Sequence, residues 1–141
     1  MCVSHTYVEV MTTAKATFEV SSWQEETYTE PTAKTKLTRA TWVQTLSGDL
    51  EGEETVGCLM YYQADGTVIT ESLTSFTGKV GGRTGSFVAK ATGKYGDDKA
   101  TSSYTVVAGS ATGKLKGLTG KGKTSIGHDG KGTVTFTYDL G

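Results

Sequence analysis

The amino-acid sequence predicts an all-β protein, a closed eight-stranded antiparallel up-and-down β-barrel. The chain contains 26 threonines, 19 glycines and a single proline, and threonine favours strands whereas glycine favours turns. Several segments alternate apolar with polar residues, and none repeats apolar residues at helical spacing over three turns. Because short turn signals separate these segments, we expect a meander, and closing it into a barrel removes its exposed edges.

The first four strands are predicted from alternation and turn signals. Residues 14–20 alternate strictly, which indicates a half-buried strand. A polar connection containing Pro31 leads to the second strand at 37–46, which ends at a Ser-Gly-Asp turn. The third strand, 55–63, precedes Asp65-Gly66, the strongest short hairpin signal in the chain, and the fourth covers 67–77.

The remaining four strands follow the same pattern. Gly81-Gly82 provides a tight turn into the fifth strand, 83–95, and a Gly-Asp-Asp turn leads to the sixth, 100–109. The seventh segment, 113–126, is rich in glycine, and the last, 133–140, alternates again.

Composition limits the classes of function. At 141 residues the chain is predicted to form one domain, a barrel over 13–141 preceded by an extension over 1–12. The net charge is -1, and the 14 basic residues are scattered among 15 acidic ones, which argues against nucleic-acid and membrane partners. The start lacks the basic region and apolar core of a signal peptide, and we interpret Cys2 and Cys58 as free thiols. We therefore expect a cytoplasmic protein.

One segment, GLTGKGKT at 117–124, matches the phosphate-binding pattern G-x-x-x-x-G-K-[ST]. A true P-loop follows a buried parallel strand and opens a helix, but here SATGKLK precedes the match and the glycine-rich SIGHDGKG follows it. We therefore interpret the segment as a glycine-rich strand that bends at a barrel corner. The lysines within this segment and just before it are expected to face solvent; they are Lys114, Lys116, Lys121 and Lys123.

The sequence offers no pattern for a metal or a cofactor. The two histidines, His5 and His128, lack metal-ligand spacing, and Cys-x-x-Cys is absent. Asp129 adjoins His128 in a glycine-rich turn, where neighbouring side chains usually point apart, so we do not predict a catalytic dyad. No serine stands in G-x-S-x-G.

Candidate site residues face the predicted interior. The strand at 37–46 permits either parity, and we place Trp42, Gln44 and Leu46 inward. An eight-stranded barrel can be filled by side chains or can hold one small ligand. A solid core and an apolar pocket with a few polar groups therefore both remain open. The inward apolar candidates are Phe18, Trp42, Met60, Phe76, Phe87 and Phe136, and the polar ones are Gln44, Tyr62, Tyr104 and Tyr138.

Many short motifs resemble, in order, a bacterial family catalogued as domain of unknown function 3224. They include LTRA at 37–40, SGDLEG at 47–52, LMY at 59–61, FTG at 76–78, GRTGSFV at 82–88, GSATG at 109–113 and YDL at 138–140. The resemblance runs from about Thr13 to the end and implies an allene oxide cyclase-like barrel. Its wider relatives, which include dirigent proteins and spirotetronate cyclases, shape a reactive, mostly apolar substrate inside the barrel.

One departure concerns the family's L-E-R-F, where this chain has Leu73-Thr74-Ser75-Phe76. Two charged groups are absent, which implies a less polar interior or rim. The first dozen residues lie outside the family pattern and form a candidate lid over the barrel mouth, in which the apolar residues are Val3, Tyr7, Val8, Val10 and Met11.

Three hypotheses follow. The first is a cofactor-free cyclase or isomerase of a small hydrophobic metabolite, which would act mainly by confinement. In it the substrate contacts the six apolar candidates, and Tyr62, Tyr104, Tyr138 and Gln44 orient it or act as weak acids. The second is a non-catalytic carrier barrel, and the third is a solid assembly module. A homodimer is compatible with each.

Overall fold

The structure, a computed structural model, describes residues 11–140 and consists of strands and turns without a helix over that range. This confirms the all-β prediction. Eight strands are long and one, β7, has two residues. The strands are β1 (Thr12–Thr32), β2 (Thr35–Gly48), β3 (Leu50–Tyr62), β4 (Val68–Val80), β5 (Arg83–Gly96), β6 (Lys99–Val106), β7 (Thr112–Gly113), β8 (Thr119–Ile126) and β9 (Lys131–Asp139).

The strands pair in one antiparallel sheet, in the order β4-β3-β2-β1-β9-β8-β6-β5-β7. In addition, β4 pairs with β5 along their whole shared length, from Val68 opposite Tyr95 to Val80 opposite Arg83. The pairings of the eight long strands therefore form a ring. The short β7 attaches to β5 beside it.

The first strand is longer than the sequence predicted. β1 covers Thr12–Thr32 and includes Pro31, which had been assigned to a polar connection. Its pairing with β2 shifts register between Ser21 and Gln24 and twice more before Thr32. Such bulges add residues that break the apolar–polar alternation and let a proline sit outside the ladder, so the sequence pattern stops before the strand does.

The predicted seventh strand is also corrected. Instead of one strand over 113–126, β7 and β8 are separated by turns. Leu115 and Leu118 in this connection are fully buried, and Gly117 has a φ of 89°, a left-handed conformation that favours glycine. The connection thus turns back to insert two leucines into the core.

The buried residues form two clusters at different depths of the ring. The larger one fills the end where β2 turns into β3 and β4 into β5, and we call this the packed end. At its centre Phe76 stacks on Phe87 with 4.9 Å between ring centroids, and Phe136 stacks on Tyr138 at 5.2 Å. The smaller cluster, around Met60 and Val68, lies toward the opposite end, which we call the open end.

The hairpins β1–β2, β3–β4, β5–β6 and β8–β9 all turn at the open end. β1 starts at the packed end, where Thr12 pairs with Tyr138. The predicted lid falls almost entirely on residues 1–10, outside the described residues. Within the described range, no helix is long and apolar enough to cross a membrane.

Candidate functional site

A cavity of about 460 Å³ lies inside the ring between the packed end and the open end. All eight long strands contribute to its wall. Exposed Trp23, Gly66 and Lys94 belong to the lining at the open end, so the mouth lies there. The volume is in the range of small-molecule sites.

The structure brings seven of the predicted site residues to this cavity: Phe18, Trp42, Gln44, Met60, Tyr62, Phe87 and Tyr104. The parity chosen for 37–46 is confirmed, because Gln44 and Leu46 are buried whereas Thr45 is exposed. The other three residues, Phe76, Phe136 and Tyr138, are buried in the packed end and do not line the cavity. Alternation identifies which residues of a strand face inward, but it does not show how far along the ring each residue lies. For this reason the sequence could not separate the residues of the cavity from those of the packed end.

The most important cavity residue that the sequence analysis missed is Glu54 on β3. It stands directly opposite Gln44 in the β2–β3 register, and its Oε1 accepts a hydrogen bond from Gln44 Nε2 at 3.1 Å. Gln44 Oε1 in turn accepts one from Trp42 Nε1 at 2.9 Å. Since the indole can only donate, the Gln44 amide must turn its NH₂ group toward Glu54.

The Glu54 carboxyl is set to titrate near neutral pH. Burial in the cavity wall raises its pKa from 4.5 to about 7, and the hydrogen bond from Gln44 only partly opposes this rise. The residue went unnoticed because it lies in the acidic run LEGEE at 50–54, which resembles a solvated turn. Extending the inward alternation of Val56 and Cys58 back by one step would have found it.

Tyr104 on β6 presents a hydroxyl that hydrogen-bonds to no other residue within 11–140. Burial, together with the negative charge of Glu54, raises the pKa of this phenol above its usual range. The ring lies over Gly122 on β8, where a Cβ would come within 2.5 Å of it. Tyr104 is therefore a hydrogen-bond donor that stays protonated near the half-buried Glu54 carboxyl.

At the mouth, Glu25 ties β1 to the cavity wall. Its carboxylate accepts hydrogen bonds from Tyr62 Oη, from Thr38 Oγ1 at 2.8 Å and from Trp23 Nε1 at 3.2 Å. Burial would raise the pKa of Glu25, but these hydrogen bonds and the nearby Lys36 lower it overall. Burial and Glu25 together raise the pKa of Tyr62. The Tyr62 hydroxyl therefore stays protonated and donates its hydrogen bond to Glu25.

Trp23 partly covers the mouth. Its ring stacks on Trp42 with 4.4 Å between centroids and 14° between planes. The register shift after Ser21 and the positive φ of Ser22, 54°, turn Trp23 toward the cavity.

Further polar groups in the wall come mainly from β4 and from the β6–β8 pair. Thr70, Ser72 and Thr74 line the cavity from β4, while Ser102 and Thr124 hydrogen-bond to each other. Of the two positions where the resemblance implied charged residues, Thr74 lines the cavity, whereas Ser75 is exposed and does not.

Cys58 is the remaining cavity residue with reactive potential. Burial raises the pKa of this thiol to about 11, and the charge of Glu25 adds to the rise. A thiol that stays protonated at neutral pH is a weak nucleophile.

The remaining sequence motifs lie outside the cavity. His128 faces Asp98 at 3.3 Å on the exposed surface, and Asp129 accepts a hydrogen bond from the Lys131 backbone. No group of three or more potential metal ligands occurs among residues 11–140. The lysines of the P-loop-like segment are exposed, as predicted, and β8 continues into a turn and β9 rather than a helix.

Comparison with known proteins places the chain in a family. The model of DUF3224, a protein family of unknown function, matches residues 14–138, so the chain belongs to that family. It is similar to the crystal structure of a DUF3224 protein of unknown function from Shewanella oneidensis MR-1, with 27% sequence identity and a TM-score of 0.79. That alignment covers 92% of this chain and 98% of the other. No curated protein matches.

Proposed function

We propose that the ring of strands is a closed barrel of the allene oxide cyclase-like kind, and that its cavity binds one small, mostly apolar molecule. The protein then cyclises or isomerises this molecule without a cofactor. One observation supports the proposal: the wall of the 460 Å³ cavity contains the Glu54 carboxyl group, whose pKa is about 7.

Support for closure comes from the strand pairings. β4 and β5 would be edges of an open sheet, yet they pair with each other over their full shared length. A closed eight-stranded barrel has an interior wide enough for one small ligand.

The chemistry uses confinement and proton transfer. Holding a flexible substrate in a reactive shape lowers the entropic part of the barrier. Near neutral pH, Glu54 can take or return a proton, since general acids and bases are most effective when their pKa is close to the working pH. Tyr104 can donate a hydrogen bond to a substrate oxygen that gains negative charge. We do not propose Tyr62 or Tyr138 as acids or hydrogen-bond donors to the substrate, because Tyr62 donates to Glu25 and Tyr138 is buried in the packed end. Glu54 and Tyr104 take these roles instead.

The test is to screen small apolar carbonyl compounds, amines and polyenes for binding by thermal shift. Each binder is then incubated with the protein and analysed for isomers of unchanged mass by chromatography. We expect conversion by the wild type, and a loss of about a hundredfold or more with Glu54→Gln at saturating ligand. The matched control Glu53→Gln removes an exposed carboxylate from the neighbouring position and should convert normally.

Two other results would decide against an enzyme. A ligand that binds but is recovered unchanged after long incubation indicates a carrier. Failure of every compound to bind would contradict the use of the cavity as a ligand site.

A further inference from the structure

The Glu54 carboxylate is a charge without a protein countercharge. Its hydrogen-bond partner, Gln44, is neutral, and no lysine or arginine within 11–140 forms an ion pair with it. Lys94, which also belongs to the cavity lining, is exposed at the mouth. An unpaired carboxylate in a protein interior either takes up a proton or pairs with a cation, and here a cationic ligand would supply the pairing.

One neighbour of Glu54, the Gln44 amide, favours the ionised form of the carboxyl. Trp42 fixes the Gln44 amide so that its NH₂ group donates to Glu54. A donor at this position stabilises a carboxylate more than a neutral carboxyl. The second oxygen, Oε2, makes no hydrogen bond with the described residues, which leaves it free for a ligand.

The cavity wall is suited to an organic cation. The ring of Trp42 contributes to the lining and stacks on Trp23 with one face, and aromatic faces attract ammonium groups. The rest of the wall combines aliphatic and aromatic side chains with serine and threonine hydroxyls, and its apolar part suits an apolar body attached to the charged group.

We propose that the ligand of this cavity is a small apolar amine whose protonated nitrogen pairs with the Glu54 carboxylate. This inference rests on the proposed function, because it assumes that the cavity is a ligand site. The pairing is compatible with proton transfer: an ammonium proton can pass to the carboxylate, which leaves the nitrogen lone pair free.

The pH dependence of amine binding should report the ionisation of Glu54. Within 11–140, the other ionisable residues of the lining are Cys58, Tyr62, Lys94, Tyr95 and Tyr104, with Glu25 behind Tyr62. Burial places the pKa of Cys58 at about 11 and those of Tyr62 and Tyr104 above their usual range, while the pKa of Glu25 is lowered. His128 pairs with Asp98 on the surface and does not line the cavity.

The test compares two probes of nearly equal shape, 2-phenylethylamine and 2-phenylethanol, by calorimetric titration at pH 6 and pH 8. For the wild type at pH 8 we expect the amine to bind about tenfold or more tightly than the alcohol. At pH 6 the amine is still protonated, but Glu54 is mostly neutral. Below the pKa of Glu54, amine affinity should therefore fall by up to about tenfold for each pH unit. Alcohol affinity should change little.

Variants separate the inference from the proposed function. Glu54→Gln should reduce amine affinity to that of the alcohol at both pH values, and Glu53→Gln should leave both affinities unchanged. Equal binding of both probes by the wild type, or tighter amine binding at pH 6, would overturn the amine inference but leave the cavity a ligand site. Failure of both probes to bind would count against the proposed function itself and the inference with it.

Discussion

At the scale of single residues, Glu54 shows what sequence reasoning could and could not find. Alternation correctly placed Gln44 inward and thereby defined the strand face that Glu54 must share. The residue was still missed because acidic residues are rarely buried. Alternation reaches Glu54 only if the strand continues through the acidic run, and that continuation depends on pairing with the neighbouring strands, which is a non-local property.

Glu54 should make the stability of the ligand-free protein depend on pH. Its pKa is raised from 4.5 to about 7 in the folded state. Glu54 therefore makes its full favourable contribution to the free energy of unfolding below pH 4.5. This contribution is lost as the pH rises through 7. The shift corresponds to about 3 kcal/mol of unfolding free energy.

Glu54→Gln removes this dependence. Urea unfolding at pH 5 and pH 8 should show that the variant gains up to about 3 kcal/mol relative to the wild type at the higher pH. Glu53→Gln, which changes an exposed carboxylate, should follow the wild type. Identical pH dependence in all three proteins would show that Glu54 is not titrating near neutrality.

At the scale of secondary-structure elements, the β1–β2 hairpin depends on a contact with β3. Tyr62 on β3 donates to Glu25 on β1, and Lys36 on β2 lies 4.5 Å from the centre of the Tyr62 ring. Tyr62→Phe should cost about 1 kcal/mol and should speed hydrogen exchange in 24–40 while leaving the packed end unchanged.

The matched control is Tyr61→Phe. Tyr61 neighbours Tyr62 on the opposite face, and its hydroxyl has no hydrogen-bond partner among residues 11–140. This variant should be near neutral in both urea unfolding and hydrogen exchange. If the two variants behave alike, the hairpin is not held by the Tyr62–Glu25 contact.

The glycines of β8 explain the P-loop-like sequence. A Cβ on Gly120 would come within 2.7 Å of the Phe136 ring, and one on Gly122 within 2.5 Å of Tyr104. Each Cβ would also come equally close to a backbone oxygen of β9, Thr137 O at 2.7 Å or Thr135 O at 2.5 Å. The glycines therefore let aromatic rings and the β9 backbone approach β8 closely, and they do not form a phosphate-binding loop. From the sequence they were predicted to form a bend, because a one-dimensional pattern does not show which ring lies above a glycine.

Gly122→Ala should therefore displace Tyr104 toward the cavity. We expect a loss of about 1–3 kcal/mol in urea unfolding and weaker binding of any cavity ligand. Gly57→Ala on β3 is the control, since its Cβ would meet only Leu73 O at 4.0 Å. Equal losses of stability for the two variants would show that the cost comes from the backbone preference of glycine and not from the close contacts at Gly122.

At the scale of the whole molecule, the ring has a packed half and a hollow half. Local sequence patterns predicted the fold class, because alternation and turn residues act over a few positions. They could not predict the hollow, because Phe76 and Phe87 look alike in sequence, yet Phe87 borders the cavity while Phe76 is enclosed. Depth depends on how eight strands stagger around the ring.

The two halves should respond differently to the loss of side chains of similar size. Leu115 is completely buried in the packed end, and Leu115→Ala should leave a void that costs about 2–5 kcal/mol. Met60 borders the cavity, so Met60→Ala removes fewer close contacts and should cost about 1–2 kcal/mol. Urea unfolding measures both values.

Ligand binding should show the opposite order. Met60→Ala enlarges the cavity and should change the affinity of an apolar probe such as 2-phenylethanol, whereas Leu115→Ala should leave that affinity near the wild-type value, because Leu115 does not line the cavity. If Met60→Ala destabilises the protein as much as Leu115→Ala and leaves binding unchanged, the open half is close-packed in solution. A close-packed open half would favour the solid assembly module over both ligand-binding hypotheses.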